Sequence, residues 1–534
     1  MGENKTMDEK KEIKKDEAKT YVITAAQGIQ NPYSAKMYGK NISKGKPNKP
    51  LIENIGNYVK SHNAELQICS IPGEYINEIE LDPFFYERKD VYIEKNAKQR
   101  NEQNKEREKE KREAWSVKEK TTQEFPMHYF WEEIPETDYK ITGKRLNSNV
   151  RIVGVPEPSQ NKDPLVGKQR LTQKHGGNSI ILPSPKQNLR PVAVGQAGEY
   201  PKLMITTGCC TVPNYNTSNR TGEMAEEAHK YGFAVIDVID DKIYLPRIVN
   251  AQKNGTFVDL GIKYTRGKDP ERAETIAMVI GDSHTSEINP KIEKANRDMI
   301  KWFKPKYIHY NDVFNALSIN LHNLDDTLLQ DILHRKGLDS LENEAVITAE
   351  YLNENGKIAK EFGGEIVVNY SNHDDMIYRW LTQMKWKGDV VNRKFVYELL
   401  SQNIDRGNTL EKMIKYVMPK LSDNIIFLKP GEDRIYEGYQ CGAHGHLGKN
   451  GAKGSLKSLM EGYGKVIMGH VHQFEINGDS MSVGTSSKIP LDYQLGQPST
   501  SMAANGVVYK GGLMQGIPII KGHWAKEGFN NVLK

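Results

Sequence analysis

The sequence predicts an α/β protein in which a mixed, strand-rich N-terminal domain precedes a layered C-terminal α/β domain. Three observations indicate this class. The 534 residues, of which 37% are hydrophobic, exceed one ordinary domain. Short apolar runs in the N-terminal half are separated by Gly, Pro and Asn. After Glu274, short β-branched runs alternate with long helical patterns, which is typical of layered α/β domains.

The N-terminal half begins with a charged segment. Residues 1–20 interleave Lys with Asp and Glu, so we predict a flexible tail. Residues 21–270 form the predicted N-terminal domain, in which the apolar stretch 233–245, interrupted by two Asp residues, predicts a β-hairpin. Residues 94–120 are almost all charged or amide side chains, which predicts a solvated helix or a mobile segment. A DNA-tracking arm is the alternative, but the acids there balance the bases.

Residues 271–534 form the predicted C-terminal domain. Strands are predicted at 275–280, 306–310 and 365–370, and a helical pattern follows each of them. Shorter strands from residue 424 onward make the second half of this domain β-rich.

Charge and cysteine content exclude several classes of protein. The 74 Lys and Arg residues against 69 Asp and Glu leave a net charge of +5, which gives no electrostatic case for nucleic-acid binding. Four scattered cysteines are too few for a disulfide framework. The mean hydropathy of −0.66 and the absence of a long apolar run predict no membrane span, so we expect a cytoplasmic protein.

Potential metal ligands follow five of the apolar runs. In open α/β sheets, ligands bind beyond the carboxyl ends of the strands, so these five segments are expected to converge. Glycines 281 and 469 permit tight turns out of their strands. The five segments are Gly281-Asp282-Ser283-His284, Asn311-Asp312, Ser371-Asn372-His373-Asp374, His444-Gly445-His446 and Gly469-His470-Val471-His472.

The donor chemistry of these segments indicates the ion and the reaction. Carboxylate, imidazole and amide donors suit divalent ions such as Mn²⁺, Fe²⁺ or Zn²⁺. The donors are numerous enough for two ions, and the carboxylate of Asp312 can bridge them. Paired ions stabilise both oxygens of an in-line displacement at phosphorus, so the pattern predicts phosphoester hydrolysis.

The five blocks, in this order, resemble the calcineurin-like metallophosphoesterases, which include the SbcD-type repair nucleases. The resemblance implies a sandwich of two sheets flanked by helices. Asn311 stands where this family usually has Gly, and Ser371 replaces another Gly. The family's phosphoprotein phosphatases carry an Arg after the aspartate of the second block, which is absent here and counts against that activity.

The resemblance also implies residue roles. His373 would protonate the leaving alkoxide, oriented by Asp374, while a metal-activated water attacks phosphorus. The two cations would be Mn²⁺ in the first instance, with Mg²⁺, Fe²⁺ or Zn²⁺ as alternatives. The implied ligands are Asp282, His284, Asp312 and His472 for the first ion, and Asp312, Asn372, His444 and His470 for the second.

Three longer segments are similar to a narrower family, the large metallophosphoesterases of tailed phages, which includes pre-early proteins of tequintaviruses that destroy host DNA. This similarity implies a Mn²⁺-dependent DNase in the cytoplasm of the host bacterium. It also implies DNA as the substrate, a homo-oligomer, and phage or host proteins as further partners. The segments are 206–215, 371–381 and 441–455.

Several further residues are candidates for substrate contacts, and each has a structural or surface alternative. The lysines lie in a glycine-rich loop that can hold a phosphate backbone. The candidates are His322, Arg379, His446, Lys449 and Lys453.

Two rival functions stay open. One is a non-catalytic scaffold or DNA-transfer protein with a vestigial metal site. The other is a small-molecule phosphodiesterase or phosphatase.

Overall fold

The computed structural model describes residues 18–27, 46–71, 144–153, 159–160, 163–174, 177–195, 200–215, 217, 219–321, 325–490 and 496–526. Most of the predicted tail, the charged segment 94–120 and His322 lie outside these residues.

The described part of the chain contains 24 strands. They are β1 (Lys19–Gln27), β2 (Lys46–Pro47), β3 (Glu65–Ile71), β4 (Val150–Ile152), β5 (Ser179–Leu182), β6 (Asn188–Val192), β7 (Lys202–Thr206), β8 (Thr211–Val212), β9 (Gly232–Val238), β10 (Tyr244–Asn250), β11 (Phe257–Asp259), β12 (Ile262–Tyr264), β13 (Glu271–Arg272), β14 (Thr275–Val279), β15 (Tyr307–Tyr310), β16 (Glu365–Val368), β17 (Ile425–Phe427), β18 (Ile435–Tyr436), β19 (Tyr439–Gln440), β20 (Ile467–Met468), β21 (Glu475–Asn477), β22 (Ser480–Ser482), β23 (Ala503–Tyr509) and β24 (Leu513–Ile519).

The same residues contain ten α-helices. They are α1 (Lys49–Ser61), α2 (Gln169–Lys174), α3 (Arg220–Glu227), α4 (Pro290–Phe303), α5 (Thr327–Arg335), α6 (Leu341–Lys360), α7 (Asn372–Thr382), α8 (Arg393–Leu400), α9 (Thr409–Val417) and α10 (Leu456–Tyr463). The short 3₁₀ helices are Thr285–Glu287, Leu317–Ile319, Lys385–Gly388 and Lys449–Gly451.

A six-stranded sheet with the order β17-β16-β15-β14-β23-β24 forms the centre of the C-terminal half. Strands β14 to β17 are parallel, while β23 runs antiparallel to β14. The parallel strands therefore direct their carboxyl ends, and the segments that follow them, to one edge of the sheet.

Side chains on β14 alternate between two cores, one on each face of the six-stranded sheet. Met278 belongs to a core shared with helices α4, α6, α7 and α9. The predicted apolar face of α4 is confirmed, since Ile292, Ala295, Met299 and Phe303 are all buried there. Ala277 and Val279 belong to the second core, which includes residues of β5 to β7 and β20 to β22. Helices therefore cover one face of the sheet and strands the other, which confirms the mixed α/β prediction.

A seven-stranded sheet joins the two halves of the chain. Its order is β20-β22-β21-β6-β7-β5-β4, and β21 pairs antiparallel with β6. The boundary that we predict at residue 270 therefore separates sequence segments that share a sheet and a core. The division of the chain into two domains at residue 270 stays a prediction.

The predicted hairpin at 233–245 is confirmed as β9 and β10, with β10 extending to Asn250. These strands continue into the four-stranded sheet β10-β9-β1-β3. Across the described ranges, no helix is both long and apolar enough to span a bilayer.

Candidate metal centre

The predicted ligands come together at the carboxyl ends of the parallel strands. Asp282 and His284 follow β14, Asp312 follows β15, and Asn372 begins α7 after β16. The segments are tied to each other, because the backbone N–H of His284 donates to the carbonyl of Asp312 at 2.8 Å. The backbone N–H of His470 likewise donates to Oδ2 of Asp282 at 2.8 Å. The expected convergence is thus present, but strand order accounts only for the segments after β14, β15 and β16. The segments of His444 and His470 follow β19 and β20, which belong to two other sheets.

Four of these residues have left-handed backbone conformations. His284, Asp312, His470 and His472 have φ angles of 44°, 41°, 71° and 54°. Such angles are uncommon outside glycine and cluster at functional sites, where the surrounding structure compensates their cost. The turns direct these side chains towards a common centre.

The first ligand group contains Asp282, His284, Asp312 and His472, and the potential donor atoms lie within 4.8 Å of one another. Nε2 of His472 lies 3.0 Å from Oδ2 of Asp282. The same nitrogen lies 3.0 Å from Nε2 of His284. Two imidazoles and two carboxylates therefore converge in a buried space.

The second ligand group contains Asp312, His444 and His470, again with donor atoms within 4.8 Å. Nε2 of His444 lies 3.1 Å from Oδ2 of Asp312 and 3.2 Å from Oδ1 of Asn372. Asp312 is common to both groups, and Asn372 adds an amide oxygen to the second.

Several polar atoms in this centre are buried without a partner among the described residues. They are Oδ1 of Asp282, Oδ1 of Asp312 and Nδ1 of His284. An unpaired buried polar atom is costly, and an unpaired buried charge costs more. A divalent cation would satisfy such oxygen and nitrogen lone pairs, so the residues present fit a metal ion.

The protonation states also fit metal binding. Burial lowers the pKa of His284 to about 3 and that of His470 to about 4, so both imidazoles are neutral at pH 7. Burial opposes ionisation of Asp312, but His373 and His444 beside it hold its pKa well below the usual range. Burial disfavours the charged form of His444 too, yet the neighbouring carboxylates of Asp312 and Asp282 raise its pKa to about 9. A cation bound at His444 therefore replaces a proton.

The two glycines are needed for close approach. A Cβ on Gly469 would lie 2.2 Å from Oδ1 of Asp282 and 2.9 Å from Cγ of Asn311. A Cβ on Gly281 would lie 2.8 Å from the backbone of Gly484. Neither glycine has a positive φ, so the reason for glycine is space rather than turn geometry.

A buried amide network behind His444 was not expected from the sequence. Nδ1 of His444 lies 3.3 Å from Oδ1 of Asn311, which also accepts from Asn369 at 3.0 Å. Asn369 in turn lies 2.9 Å from Nδ1 of His309. Partners of this kind orient ligand imidazoles. The one sequence feature that pointed to this network is Asn311, which stands where the phosphoesterase family usually has Gly.

His373 has a different orienting partner from the predicted Asp374. Its Nδ1 donates to the backbone carbonyl of Asn315 at 2.7 Å, which leaves Nε2 3.9 Å from Oδ2 of Asp312. Oδ2 of Asp374 accepts from the backbone N–H and hydroxyl of Ser371 at 2.8 and 2.7 Å, forming a capping box at the start of α7. Asp374 therefore holds the helix that carries His373, and its catalytic role stays a prediction. Burial raises the pKa of this carboxyl to about 6.

The ligand groups open onto a cleft of about 740 Å³. His373, Asn372 and four of the other predicted residues line it, together with an apolar wall and two lysines, Lys336 and Lys488, that the sequence reasoning missed. Only their position in the fold identifies these lysines, since neither lies in a motif.

The predicted substrate contacts are distributed unevenly. The ring of His446 lies 5.6 Å from that of His444, and both of its nitrogens are buried without a partner among the described residues. Burial lowers the pKa of His446 to about 4. Arg379, Lys449 and Lys453 are exposed and do not line the cleft.

Comparison with known proteins links the chain to a phage. It is 26% identical over 343 residues to "Protein A1" of Escherichia phage T5, a match that covers 58% of this chain. The chain spans 60% of the length of that relative. No family model matches the chain, and no solved structure matches it. The link to a phage protein thus rests on this similarity, and the phosphoesterase resemblance rests on the ordered motif.

Proposed function

We propose that the chain is a metal-dependent phosphodiesterase that acts as a DNase on host DNA during phage infection. The observation that carries this proposal is the pair of buried ligand groups sharing Asp312, placed beside His373 in one cleft. The similarity to a phage T5 protein supports the biological setting. The host bacterial cytoplasm, a homo-oligomeric state and phage or host protein partners belong to the same proposal.

The residues would hold two divalent cations. Asp282, His284 and His472 contribute to the first group, His444, His470 and Asn372 to the second, and Asp312 to both. When bound, a pair of divalent ions, with Mn²⁺ preferred and Mg²⁺, Fe²⁺ or Zn²⁺ as alternatives, supplies Lewis-acid stabilisation of phosphoryl charge and an activated water. The neutral imidazoles of His284 and His470 keep their lone pairs available for this task.

His373 is positioned to handle the proton of the leaving group. Donation from Nδ1 to the carbonyl of Asn315 fixes the ring and directs Nε2 into the cleft beside Asp312. A proton held at Nε2 is transferred to the leaving alkoxide oxygen as the P–O bond breaks. The capping box of Ser371 and Asp374 holds α7, and so His373, in place.

Binding of DNA does not require a basic protein surface in this scheme. The net charge of +5 over 534 residues gives little long-range attraction. Bound cations would be the largest local charges, and Lys336 and Lys488 add positive charge within the cleft.

The decisive experiment incubates the purified chain with linear and circular DNA in Mn²⁺ or in EDTA. We expect Mn²⁺-dependent cleavage that is lost in Asp312→Ala and in His373→Ala. His523→Ala, which removes an exposed imidazole outside the centre, serves as the matched control and keeps full activity. Cleavage in EDTA, or full activity of Asp312→Ala, overturns the mechanism.

The same experiment separates the rival functions. Turnover of bis(p-nitrophenyl) phosphate without cleavage of DNA favours a small-molecule phosphodiesterase. Absence of both activities in the metal-loaded protein favours a non-catalytic scaffold or DNA-transfer role.

A further inference from the structure

One wall of the cleft beside the metal centre is apolar. Leu329, Ile332 and Leu333 of helix α5 line it, with Leu338 after the helix and Met376 on α7. Met376 lies one helical turn after His373, so the apolar wall and the proton donor face the same space. Phosphate groups gain nothing from aliphatic contacts, so this wall has no evident use in holding the scissile group itself.

Helix α5 directs its apolar face towards the cleft. Leu329, Ile332, Leu333 and Lys336 have the spacing i, i+3, i+4 and i+7, which places them on one side of the helix, and all four line the cleft. Among the residues of α5, Leu333 is the buried one. Leu328, which neighbours Ile332 on the helix but does not line the cleft, is 77% exposed. The helix thus lays most of its apolar stripe along the cleft.

Charged residues line the same cleft as the apolar wall. Lys336 directly follows helix α5, and Lys488 is a second lysine of the lining. Glu287 also lines the cleft, and its carboxylate accepts from the side-chain amide of Asn315 at 3.3 Å. Two lysines and an aliphatic surface in one cleft suit a ligand that combines phosphates with an apolar ring.

We propose that this wall is a binding subsite for an unpaired nucleobase next to the scissile phosphate, and this proposal rests on the proposed function. In duplex DNA, bases are stacked and paired, so a protein wall beside the backbone meets sugar and phosphate. A base released from the stack presents a flat apolar face, which side chains such as Leu329, Ile332 and Met376 can cover. The volume of about 740 Å³ is of the size that encloses a small ligand. The subsite therefore selects single-stranded or unpaired DNA over intact duplex.

The first test measures binding, without any need for hydrolysis. Fluorescent oligothymidylate and an abasic strand of equal length carry the same phosphates and differ only in their bases. We expect the metal-free protein to bind the thymidylate about tenfold more tightly than the abasic strand. Ile332→Ser and Leu329→Ser abolish most of this preference, whereas Leu328→Ser on the same helix retains it. Equal affinity of the wild-type protein for the two strands overturns the proposal.

The second test measures the ratio of kcat/KM for single-stranded circular DNA to that for bis(p-nitrophenyl) phosphate, which has no base. We expect Ile332→Ser to lower this ratio about five- to tenfold and Leu328→Ser to leave it unchanged. A wild-type protein that cuts closed duplex circles as fast as single-stranded circles contradicts the subsite. A wild-type dimer that becomes a monomer in Ile332→Ser also contradicts the subsite, because a second copy of the chain then covers the apolar wall. Failure of all hydrolysis with the base preference intact overturns the proposed function alone.

Discussion

Two buried charged clusters in this chain differ in how their polar atoms are paired. In the first, Arg247 donates to Asp259 at 2.8 Å and also contacts Asp237. Tyr58 and Gln515 donate to the same Asp259 carboxylate at 2.6 and 2.7 Å. None of these side chains has an unpaired buried polar atom. The cluster carries its own counter-ion and is complete.

The candidate metal centre is also buried, but the pairing of its polar atoms is incomplete. The ion-pair partners of Asp282 and Asp312 within the described ranges are histidines, and each carboxylate leaves Oδ1 unpaired. Buried charge of this kind is stable only when a partner or a metal neutralises it. Among the described residues, the carboxylate oxygens that are buried without a partner belong to Asp282 and Asp312. Unpaired buried carboxylates, rather than buried charge as such, therefore separate the candidate site from a structural network.

The largest expected effect comes from removing the carboxylate that both ligand groups share. In the proposed mechanism, Asp312→Asn should reduce hydrolysis by about 10⁴-fold or more, since two bound cations would together lower the barrier by several kcal/mol. Calorimetry should show that Asp312→Asn weakens Mn²⁺ binding at both groups, whereas Asp282→Asn weakens it at one. Asp423→Asn, which removes an exposed carboxylate paired with Lys360, is the control and should bind Mn²⁺ like the wild type. Unchanged binding by Asp312→Asn would remove the basis for a shared ligand.

Mutation of the cluster around Arg247 and Asp259 should change the stability of the protein rather than its metal binding. Asp259→Ala removes one of the two carboxylate partners of the fully buried Arg247 and the shared acceptor of Tyr58 and Gln515, and breaking a buried pair in this way costs about 3–5 kcal/mol. We expect a lower denaturant midpoint together with Mn²⁺ affinity close to that of the wild type in the folded protein. Lys360→Ala, which breaks an exposed pair, should shift the midpoint by less than about 1 kcal/mol. A selective loss of Mn²⁺ binding in Asp259→Ala, with the midpoint unchanged, would reverse the assigned roles of the two clusters.

The amide network behind His444 should have an intermediate effect. Asn311→Ala removes the acceptor 3.3 Å from Nδ1 of His444, and partners that orient ligand imidazoles are worth about 10–100-fold in metal affinity. Calorimetry should therefore show weaker Mn²⁺ binding at the His444 group and little change at the group of Asp282 and His284. Asn353 accepts a hydrogen bond from the backbone N–H of Ser422 and is not part of the centre. Asn353→Ala is therefore the control and should leave Mn²⁺ binding at both groups unchanged. Equal weakening at both groups would indicate a general distortion of the centre.

The sequence predicted the candidate ligands because polar donors follow apolar runs. Strand order brings the donors after β14, β15 and β16 to one edge of the six-stranded sheet, whereas His444, His470 and His472 follow strands of two other sheets. Backbone contacts leave no such pattern. The carbonyl of Asn315 that orients His373 becomes its partner only through tertiary packing, so the sequence favoured Asp374, which lies next to it in the chain.

Long-range pairing was also beyond the sequence patterns. Periodicity predicts that α5 is amphipathic, but not that its apolar stripe lines a cleft. The pairing of Ile476 with Leu189 joins segments far apart in the chain, and alternation within each strand does not specify a partner. For that reason the sequence did not predict the seven-stranded sheet that both predicted domains share, and the domain boundary itself stays a prediction.

The smallest expected effect is a pH dependence that again separates paired from unpaired groups. Both ring nitrogens of His229 are hydrogen-bonded. Nδ1 accepts from the hydroxyl of Tyr215 and Nε2 donates to the carbonyl of Thr211, both at 3.0 Å. Burial, with a smaller contribution from Lys186, lowers the pKa of His229 to about 3. The unfolded chain then binds a proton below pH 6.5 that the folded chain does not, so stability falls as the pH decreases from 6.5 towards 3. Between pH 7 and pH 5 this group should lower the free energy of unfolding by about 2 kcal/mol.

His229→Gln should flatten the dependence of the denaturant midpoint on pH by that amount, whereas His523→Ala should not. Because His229 belongs to neither ligand group, saturating Mn²⁺ should leave its contribution in place, and disappearance of that contribution on Mn²⁺ addition would show that the two sites are linked.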